Sequence, residues 1–560
     1  MRHIVCTTIL VETSPQALPL GAACIASSLK ENSFISSQCV TELEDFSLEN
    51  KELSSLLTDE QKASFIACEL LRERKLFVLA VSVYVWNRAL LDLVCKKIKQ
   101  LSPSTFIIAG GPEITANPFS FSSSDFCAVG EGEVSVVELV ENLLKNKNVL
   151  PKGVYNSENG ALKVFERSPA PDLTALPSPW LNKTIDSKKY GGVLWELARG
   201  CPFKCSYCYE SRGEKKVRHF PLERLEKELQ LFSKQNVAQV FVLDPTYNAD
   251  KKTALQMLKL IKKYTPKTFY YFEARAEFID KELANAFSNI NCALQFGLQS
   301  ADSEVLKKVN RSLDKKLFAR NIGFLNNAGV VFGFDLIYGL PGDTLNGFKN
   351  SIDFALSLYP NNLELFCLSV LPGTDLHEKA KDLALSWQSK PPYNVLYTSS
   401  MTEADIKKAS ELSKAVNVFY TLGRAVPWFN SVCALFHKKP SLMLTLFTDF
   451  LREKNLLEKN KEYFTFEKIL SLQIEFLNIQ LKEKKMLKLS GLIHDILTLN
   501  AAISEATATA KESVFSLRYH PDDLMSEYAS DIAFFYSNAR EIPNRTKVYC
   551  SGIGVDWKTL

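Results

Sequence analysis

Gly192-Val193-Leu194-Trp195-Glu196-Leu197-Ala198-Arg199-Gly200-Cys201-Pro202-Phe203-Lys204-Cys205-Ser206-Tyr207-Cys208-Tyr209 places a short apolar run ahead of three cysteines spaced four and then three residues apart. The run reads as a strand over Val193–Ala198, so the cysteines occupy the loop at its carboxyl end. Sites in parallel α/β barrels are built from such loops. Thiolates are soft ligands that select zinc, copper(I) or iron–sulfur clusters. A structural zinc takes four ligands in paired Cys or Cys/His spacings, and His219, eleven residues beyond Cys208, fits no tight pairing. The spacing therefore favours a three-cysteine site with one coordination position open. The competing readings are a zinc site completed from elsewhere and three unconnected buried thiols.

Downstream of the loop, five more strands are expected at Gln239–Leu243, Thr268–Ala274, Cys292–Leu298, Val330–Tyr338 and Leu363–Val370. Helical stretches such as Leu222–Lys234 and Thr344–Leu358 fill the gaps. Six βα units fall short of the eight of a closed barrel. Upstream, Ile4–Val11, Leu76–Val85 and Thr105–Ala109 read as strands, and Leu20–Lys30 and Ala89–Leu101 as helices. This alternation predicts a doubly wound parallel sheet, whose ligands sit beyond the carboxyl ends of its strands. Small or flexible residues stand at those ends: Thr13-Ser14-Pro15, Ser82-Val83-Tyr84, Gly110-Gly111-Pro112-Glu113 and Gly130-Glu131-Gly132-Glu133. Each glycine taken singly reads as a turn; four such ends in register read as a cradle.

Between these halves, Val154–Phe165 predicts a hairpin around Asn159-Gly160, and Pro169, Pro171, Pro177 and Pro179 mark an extended linker. Beyond about residue 385, long amphipathic stretches dominate, as in Glu403–Tyr420, Pro440–Lys454 and Phe464–Lys482. Their Phe and Leu positions read as core. The expected organisation is an α/β domain over 1–150, a linker over 151–190, a second α/β domain over 191–385 and a mainly helical domain over 386–560.

Composition sets outer limits. Sixty-seven basic and 63 acidic residues leave a net charge of +4, which carries no nucleic-acid footprint. Thirteen scattered cysteines predict a reducing compartment. Cys433 and Cys550 have no cysteine at ligand spacing and read as buried thiols. Leu76–Trp86, the longest apolar stretch, is about half the length of a membrane span. The Met1–Glu12 stretch lacks a small-residue cleavage site and reads as a first strand. A cytoplasmic protein is expected.

Cys-x-x-x-Cys-x-x-Cys with Tyr207 before the last cysteine resembles the cluster loop of the radical S-adenosylmethionine enzymes. The resemblance implies that Cys201, Cys205 and Cys208 each hold one iron of a [4Fe-4S] cluster. The fourth iron would chelate S-adenosylmethionine, and reduction would cleave it to a 5′-deoxyadenosyl radical. It implies an open (β/α)6 partial barrel of TIM type for the central domain. It further implies S-adenosylmethionine contacts from Tyr207, Asp244, Glu273, Arg275, Gln299, Ser300, Arg311, Gly339 and Pro341. A reducing partner such as ferredoxin or flavodoxin follows from the same chemistry.

The first domain resembles the cobalamin-binding, Rossmann-like domain that precedes many such barrels. The likeness lies in Leu18-Pro19-Leu20-Gly21, Ser82-Val83-Tyr84-Val85-Trp86-Asn87 and the two glycine motifs. It implies cobalamin contacts from Leu18, Gly21, Ser82, Tyr84, Gly110, Gly111, Pro112, Gly130 and Gly132. One departure stands out. The Asp-x-His-x-x-Gly motif whose histidine coordinates cobalt is absent, and His3, inside a strand, is the only histidine in the first 200 residues. The arrangement resembles a subfamily whose carboxyl-terminal domain has no assigned function.

Two mechanisms follow from the resemblance. In one, cobalamin carries a methyl group to an unactivated carbon from which the radical has removed hydrogen. In the other, the radical drives cyclisation, rearrangement or oxidation without methyl transfer. A methylthiotransferase would need a further three-cysteine set ahead of Cys201, and none is present. From a different class comes a cobalamin- or cluster-binding sensor without turnover, against which the Gly339–Gly342 and Gln299-Ser300 segments argue. The substrate is expected to be a small molecule or peptide.

Overall fold

The computed structural model of the 560-residue chain describes residues 1–156, 165–210, 216–551 and 554–560. They form two compact units. The first comprises Met1–Leu294, Val309–Arg311 and Ser369–Val395; the second comprises Gln295–Lys308, Ser312–Leu368 and Leu396–Leu560.

The first unit opens with a six-stranded sheet of β1 (Arg2–Leu10), β2 (Cys39–Ser47), β3 (Leu76–Ser82), β4 (Phe106–Gly110), β5 (Phe126–Ala128) and β6 (Val154–Asn156), in the order β2-β1-β3-β4-β5-β6. The pairs are parallel except β5–β6. Alternation along the strands decides the layers. Ile4, Cys6, Val78, Ala80 and Ile108 join one apolar core with Ala22, Ala26 and Leu139, from helices Leu20–Glu31 and Ser135–Leu144. Val5, Ile9, Leu79, Val81 and Ile107 join another with Ile66 and Val94, from helices Asp59–Leu71 and Arg88–Leu101. Covering both faces is what a parallel sheet demands. Order reverses where β1 lies between β2 and β3, opening a crevice beyond the strand ends.

Two features differ from expectation. Cys39–Ser47 is a strand that apolar patterning does not announce, because Glu42, Glu44 and Asp45 lie within it. As an edge strand it meets charge with charge: Arg74 pairs with Glu42 at 2.9 Å and with Glu44 at 2.7 Å. The second is β6, which adds an antiparallel edge. It is the first arm of the expected hairpin, whose Asn159-Gly160 turn lies outside the described residues.

The same unit continues with β7 (Val193–Trp195), β8 (Ala198–Arg199), β9 (Arg218–His219), β10 (Gln239–Val242) and β11 (Phe269–Ala274). Strands β7, β10 and β11 pair in parallel, while β8 and β9 form a small antiparallel ribbon around the cysteine loop. The expected strand Val193–Ala198 is thus split, with Glu196 and Leu197 at the break. Next in the sheet comes β12 (Cys292–Gln299), which begins in the first unit and ends in the second.

In the second unit the order continues β12-β13-β14, with β13 (Val331–Tyr338) parallel to β14 (Asn362–Cys367). The six strands and the helices between them make the open (β/α)6 arrangement. Helices then dominate: Glu403–Val416, Pro440–Glu453, Phe466–Glu483 and Ser490–Thr509. Phe419 is their aromatic centre, with ring centroids 4.6 Å from Phe447 and 5.8 Å from Phe476. Three antiparallel strands, Ser513–Leu517, Asn544–Ser551 and Gly554–Thr559, close the unit. Among the described residues no helix is long and apolar enough to cross a membrane.

Candidate functional site

The cysteine loop is fixed from three directions inside the first unit. Cys208 N–H donates to the Cys205 carbonyl at 3.1 Å, Ser206 N–H to Val309 at 3.1 Å, and Leu376 N–H to Ser206 at 2.8 Å. Cys205 is buried, and Cys201 and Cys208 are partly buried. Arg311 Nη1 lies 3.7 Å from Cys205 Sγ and donates to Tyr207 Oη at 3.3 Å. Among the described residues no three or more His, Cys, Asp and Glu side chains converge as a single-ion site. A cluster that takes one cysteine per iron needs no such convergence. The donor set of three soft ligands on a pinned loop fits a [4Fe-4S] group.

Other candidates surround the loop. Asp244 is buried, and its Oδ1 accepts from Leu197 and Ala198 N–H, both at 3.0 Å, so it also braces the strand that leads into the cysteines. Burial pushes its carboxyl up to about 7 against the opposing pull of those two bonds. A buried acid whose folded pKa is raised adds stability that is complete below its unfolded pKa and is lost as pH climbs through the folded one. We therefore expect Asp244→Asn, which keeps an acceptor, to flatten the decline in stability between about pH 4 and 7. That decline should approach about 1.4 kcal/mol per pH unit in the parent, read by denaturant unfolding across the range.

Arg275 sits over the Phe203 ring at 3.9 Å and pairs with Glu277 at 2.6 Å. Desolvation, and then the Glu210 carboxylate, hold Glu273 above the usual carboxylate range. Gln299, Ser300, Gly339 and Pro341 belong to the second unit. There Gln299 adopts a left-handed backbone with φ of 65°, its buried Oε1 has no hydrogen-bond partner, and Ser300 Oγ accepts from Asp302 N–H at 3.0 Å.

A cavity of about 520 Å³ lies at the carboxyl ends of β3, β4 and β5. Ser82 and Tyr84 line it after β3; Gly110, Gly111 and Pro112 after β4; Gly130 and Gly132 after β5; and Gly21 from the helix beneath. Leu18 is buried but does not line it. Gly200 and Tyr209 bring the cysteine loop into the same wall. Gly111 is sterically required: with φ of 101°, a Cβ there would stand 2.7 Å from the Val83 carbonyl oxygen; at Gly21 one would stand 2.6 Å from Tyr84 Oη, whereas at Gly110 one would meet nothing nearer than 3.9 Å. Gly111→Ala is expected to cost about 1–3 kcal/mol, the range for strained backbone that only glycine relaxes; a melting temperature unchanged from the parent would contradict this. Among the described residues no histidine lines the cavity, and His3 pairs with Glu42 at 3.2 Å. Glycines at the ends of β4 and β5, with Gly21 from the helix, make a cradle that fits a cobalamin held by close backbone approach.

The cavity also contains residues that local patterns do not reveal. Arg199, two positions before Cys201, pairs with Glu131 at 2.6 Å, Glu133 at 2.7 Å and Glu196 at 2.9 Å. Arg218 holds the other oxygen of Glu131. Burial raises the Glu196 carboxyl while Arg199 opposes the rise; the carboxylates in turn keep Arg199 firmly charged. The hub's one local sequence signal lies in Gly130-Glu131-Gly132-Glu133, whose carboxylates, set between turn-forming glycines, are the structural ties.

Comparison with known proteins places these observations. Residues 195–355 match the model of the Radical SAM superfamily. Over 338 residues the chain is 26% identical to "Cobalamin-dependent radical SAM methyltransferase TokK" of Streptomyces tokunonensis, a match covering 54% of this chain and 48% of that protein. The chain thus spans about half the length of that relative. Among solved structures, TsrM from Kitasatospora setae, a radical S-adenosylmethionine methyltransferase with cobalamin and a [4Fe-4S] cluster bound, aligns with a TM-score of 0.56 at 16% identity, covering 73% of this chain and 85% of that one. OxsB, a cobalamin-dependent S-adenosylmethionine radical enzyme with aqua-cobalamin and S-adenosylmethionine bound, aligns with a TM-score of 0.58 at 14% identity, covering 87% and 80%. At those identities the two structures show a shared fold.

Proposed function

We propose, from the premise that residues 195–355 are a radical S-adenosylmethionine domain, that the chain is a cobalamin-dependent methyltransferase acting on an unactivated carbon of a small molecule or peptide. One observation carries this reading: Gly200 and Tyr209, on either side of the three cysteines, line the same cavity as the glycine ends of β4 and β5. When bound, the cluster with S-adenosylmethionine supplies a 5′-deoxyadenosyl radical and cobalamin supplies a methyl group. This chain's own residues hold, orient and shield.

In this reading Cys201, Cys205 and Cys208 hold the cluster, and Arg311 keeps positive charge beside Cys205. Tyr207, Asp244, Glu273 and Arg275 are the first unit's candidates for S-adenosylmethionine, with Asp244 acting in part by bracing Leu197 and Ala198. Gly110, Gly111, Gly130 and Gly132 let the cofactor approach the backbone closely, and Tyr84 and Ser82 border it. A one-electron reductant of the ferredoxin or flavodoxin kind completes the scheme.

The test is anaerobic reconstitution with iron, sulfide, hydroxocobalamin and S-adenosylmethionine, followed by reduction and mass analysis. Cobalamin-dependent accumulation of both S-adenosylhomocysteine and 5′-deoxyadenosine is expected. 5′-Deoxyadenosine alone, unaffected by cobalamin, would replace methyl transfer with a radical rearrangement or oxidation.

A further inference from the structure

The segment Ser369–Val395 follows the last barrel strand in sequence yet belongs to the first unit. Its ends are joined, with Ser369 bridged to Asn394 and Val370 N–H donating to the Tyr393 carbonyl at 2.9 Å. Near its start it reaches the cysteine loop through Leu376 N–H to the Ser206 carbonyl, 2.8 Å. A Cβ on Gly373 would stand 3.1 Å from Ala116 and 3.3 Å from the Tyr209 ring, so the segment lies against both the cavity wall and the short helix Pro112–Ala116. At its other end Tyr393 donates its phenol proton to Glu113 Oε2 at 2.8 Å, across 280 positions of sequence. Arg88 Nη1 binds the same oxygen at 2.9 Å, and its Nη2 donates to the Ser120 carbonyl at 2.6 Å. Glu113 and Tyr393 are both buried.

Glu113 follows Gly110-Gly111-Pro112, three residues that line the cavity. The cradle there has little freedom. Gly111 is pressed against Val83, Val83 N–H donates to the Gly110 carbonyl at 2.8 Å, and Pro112 fixes its own φ. A displacement of Glu113 therefore passes to the cavity wall and is not absorbed along the loop. Resting on the proposed cobalamin site, we infer that Tyr393 is a positioning residue, which through Glu113 sets the β4 end of the cavity against the cysteine loop. The segment is a strap with one attachment on each side of the reaction. Cofactor affinity on one side thus depends on a phenol that touches no cofactor.

The test titrates hydroxocobalamin into the full, anaerobically reconstituted chain and into its Tyr393→Phe variant, with iron content and the electron paramagnetic resonance signal of the reduced cluster measured in parallel. Removing a hydrogen bond to a buried carboxylate should weaken hydroxocobalamin binding about tenfold, which is about 1.4 kcal/mol. Iron content and cluster signal should stay at parent values; a general loss of folding would lower all three together and overturn the assignment. In a Glu113→Ala background Tyr393→Phe should change nothing further, and additive losses would likewise overturn it. Should Glu113→Ala not fold, the single variant decides alone: an affinity equal to the parent's refutes the role. A parent that takes up no hydroxocobalamin fails at the earlier step and takes both readings down.

Discussion

Cys201→Ala should lose S-adenosylmethionine cleavage outright, with reductive formation of 5′-deoxyadenosine falling to the background of protein-free controls. Each of the three thiols is expected to be the sole protein ligand of one iron, so removing one leaves an unanchored corner that no neighbouring side chain can replace. Among the described residues no other cysteine lies in the loop, and Cys433, buried in the second unit, serves as the matched control. Cys433→Ala should keep both cluster and turnover. Iron and sulfide analysis with the product assay checks the pair. A Cys201→Ala protein that still forms 5′-deoxyadenosine at the parent rate would end the radical reading.

The second large effect is on stability. Arg199→Met should lower the free energy of unfolding by about 3 kcal/mol, because it strips the shared cation from buried Glu133 and partly buried Glu196, while Glu131 keeps Arg218. Arg199→Lys should recover only part of this. One ammonium cannot reproduce a planar fork that reaches three carboxylates from Nε, Nη1 and Nη2. The loss should shrink as pH falls and Glu196, whose carboxyl burial already raises, takes up a proton, so denaturant unfolding at two pH values separates charge from packing. A loss below about 1 kcal/mol at neutral pH would place the pairs with exposed ion pairs of little consequence.

The alternation of apolar strands with helices was legible because both sheets are parallel apart from the β6 edge, so their inner strands read as near-continuous apolar runs. Val78–Val81 and Ile107–Ala109 are of this kind. Cys39–Ser47 was not legible, since an edge strand carrying Glu42, Glu44 and Asp45 has no apolar period to detect. The same contrast holds at the site. Three cysteines within one loop, and glycines at successive strand ends, leave a local signature. The Arg199 hub joins residues up to 68 positions apart, and the Tyr393–Glu113 bond spans 280, so neither has a sequence period. Asp244 shows an intermediate case: its place at a strand end was readable, but its bracing of Leu197 and Ala198 depends on a break in the preceding strand that composition does not mark.

The strap also bears on how the chain is made. A ribosome adding about 5–20 residues per second needs roughly 14–56 s to travel the 280 positions from Glu113 to Tyr393. Throughout that interval the nascent first sheet can form, with Arg88 already in place to hold Glu113, but the far anchor does not yet exist. The cavity proposed to cradle the corrinoid is therefore assembled early and fastened late. Its final grip waits on a stretch of chain synthesised after the whole run of barrel strands.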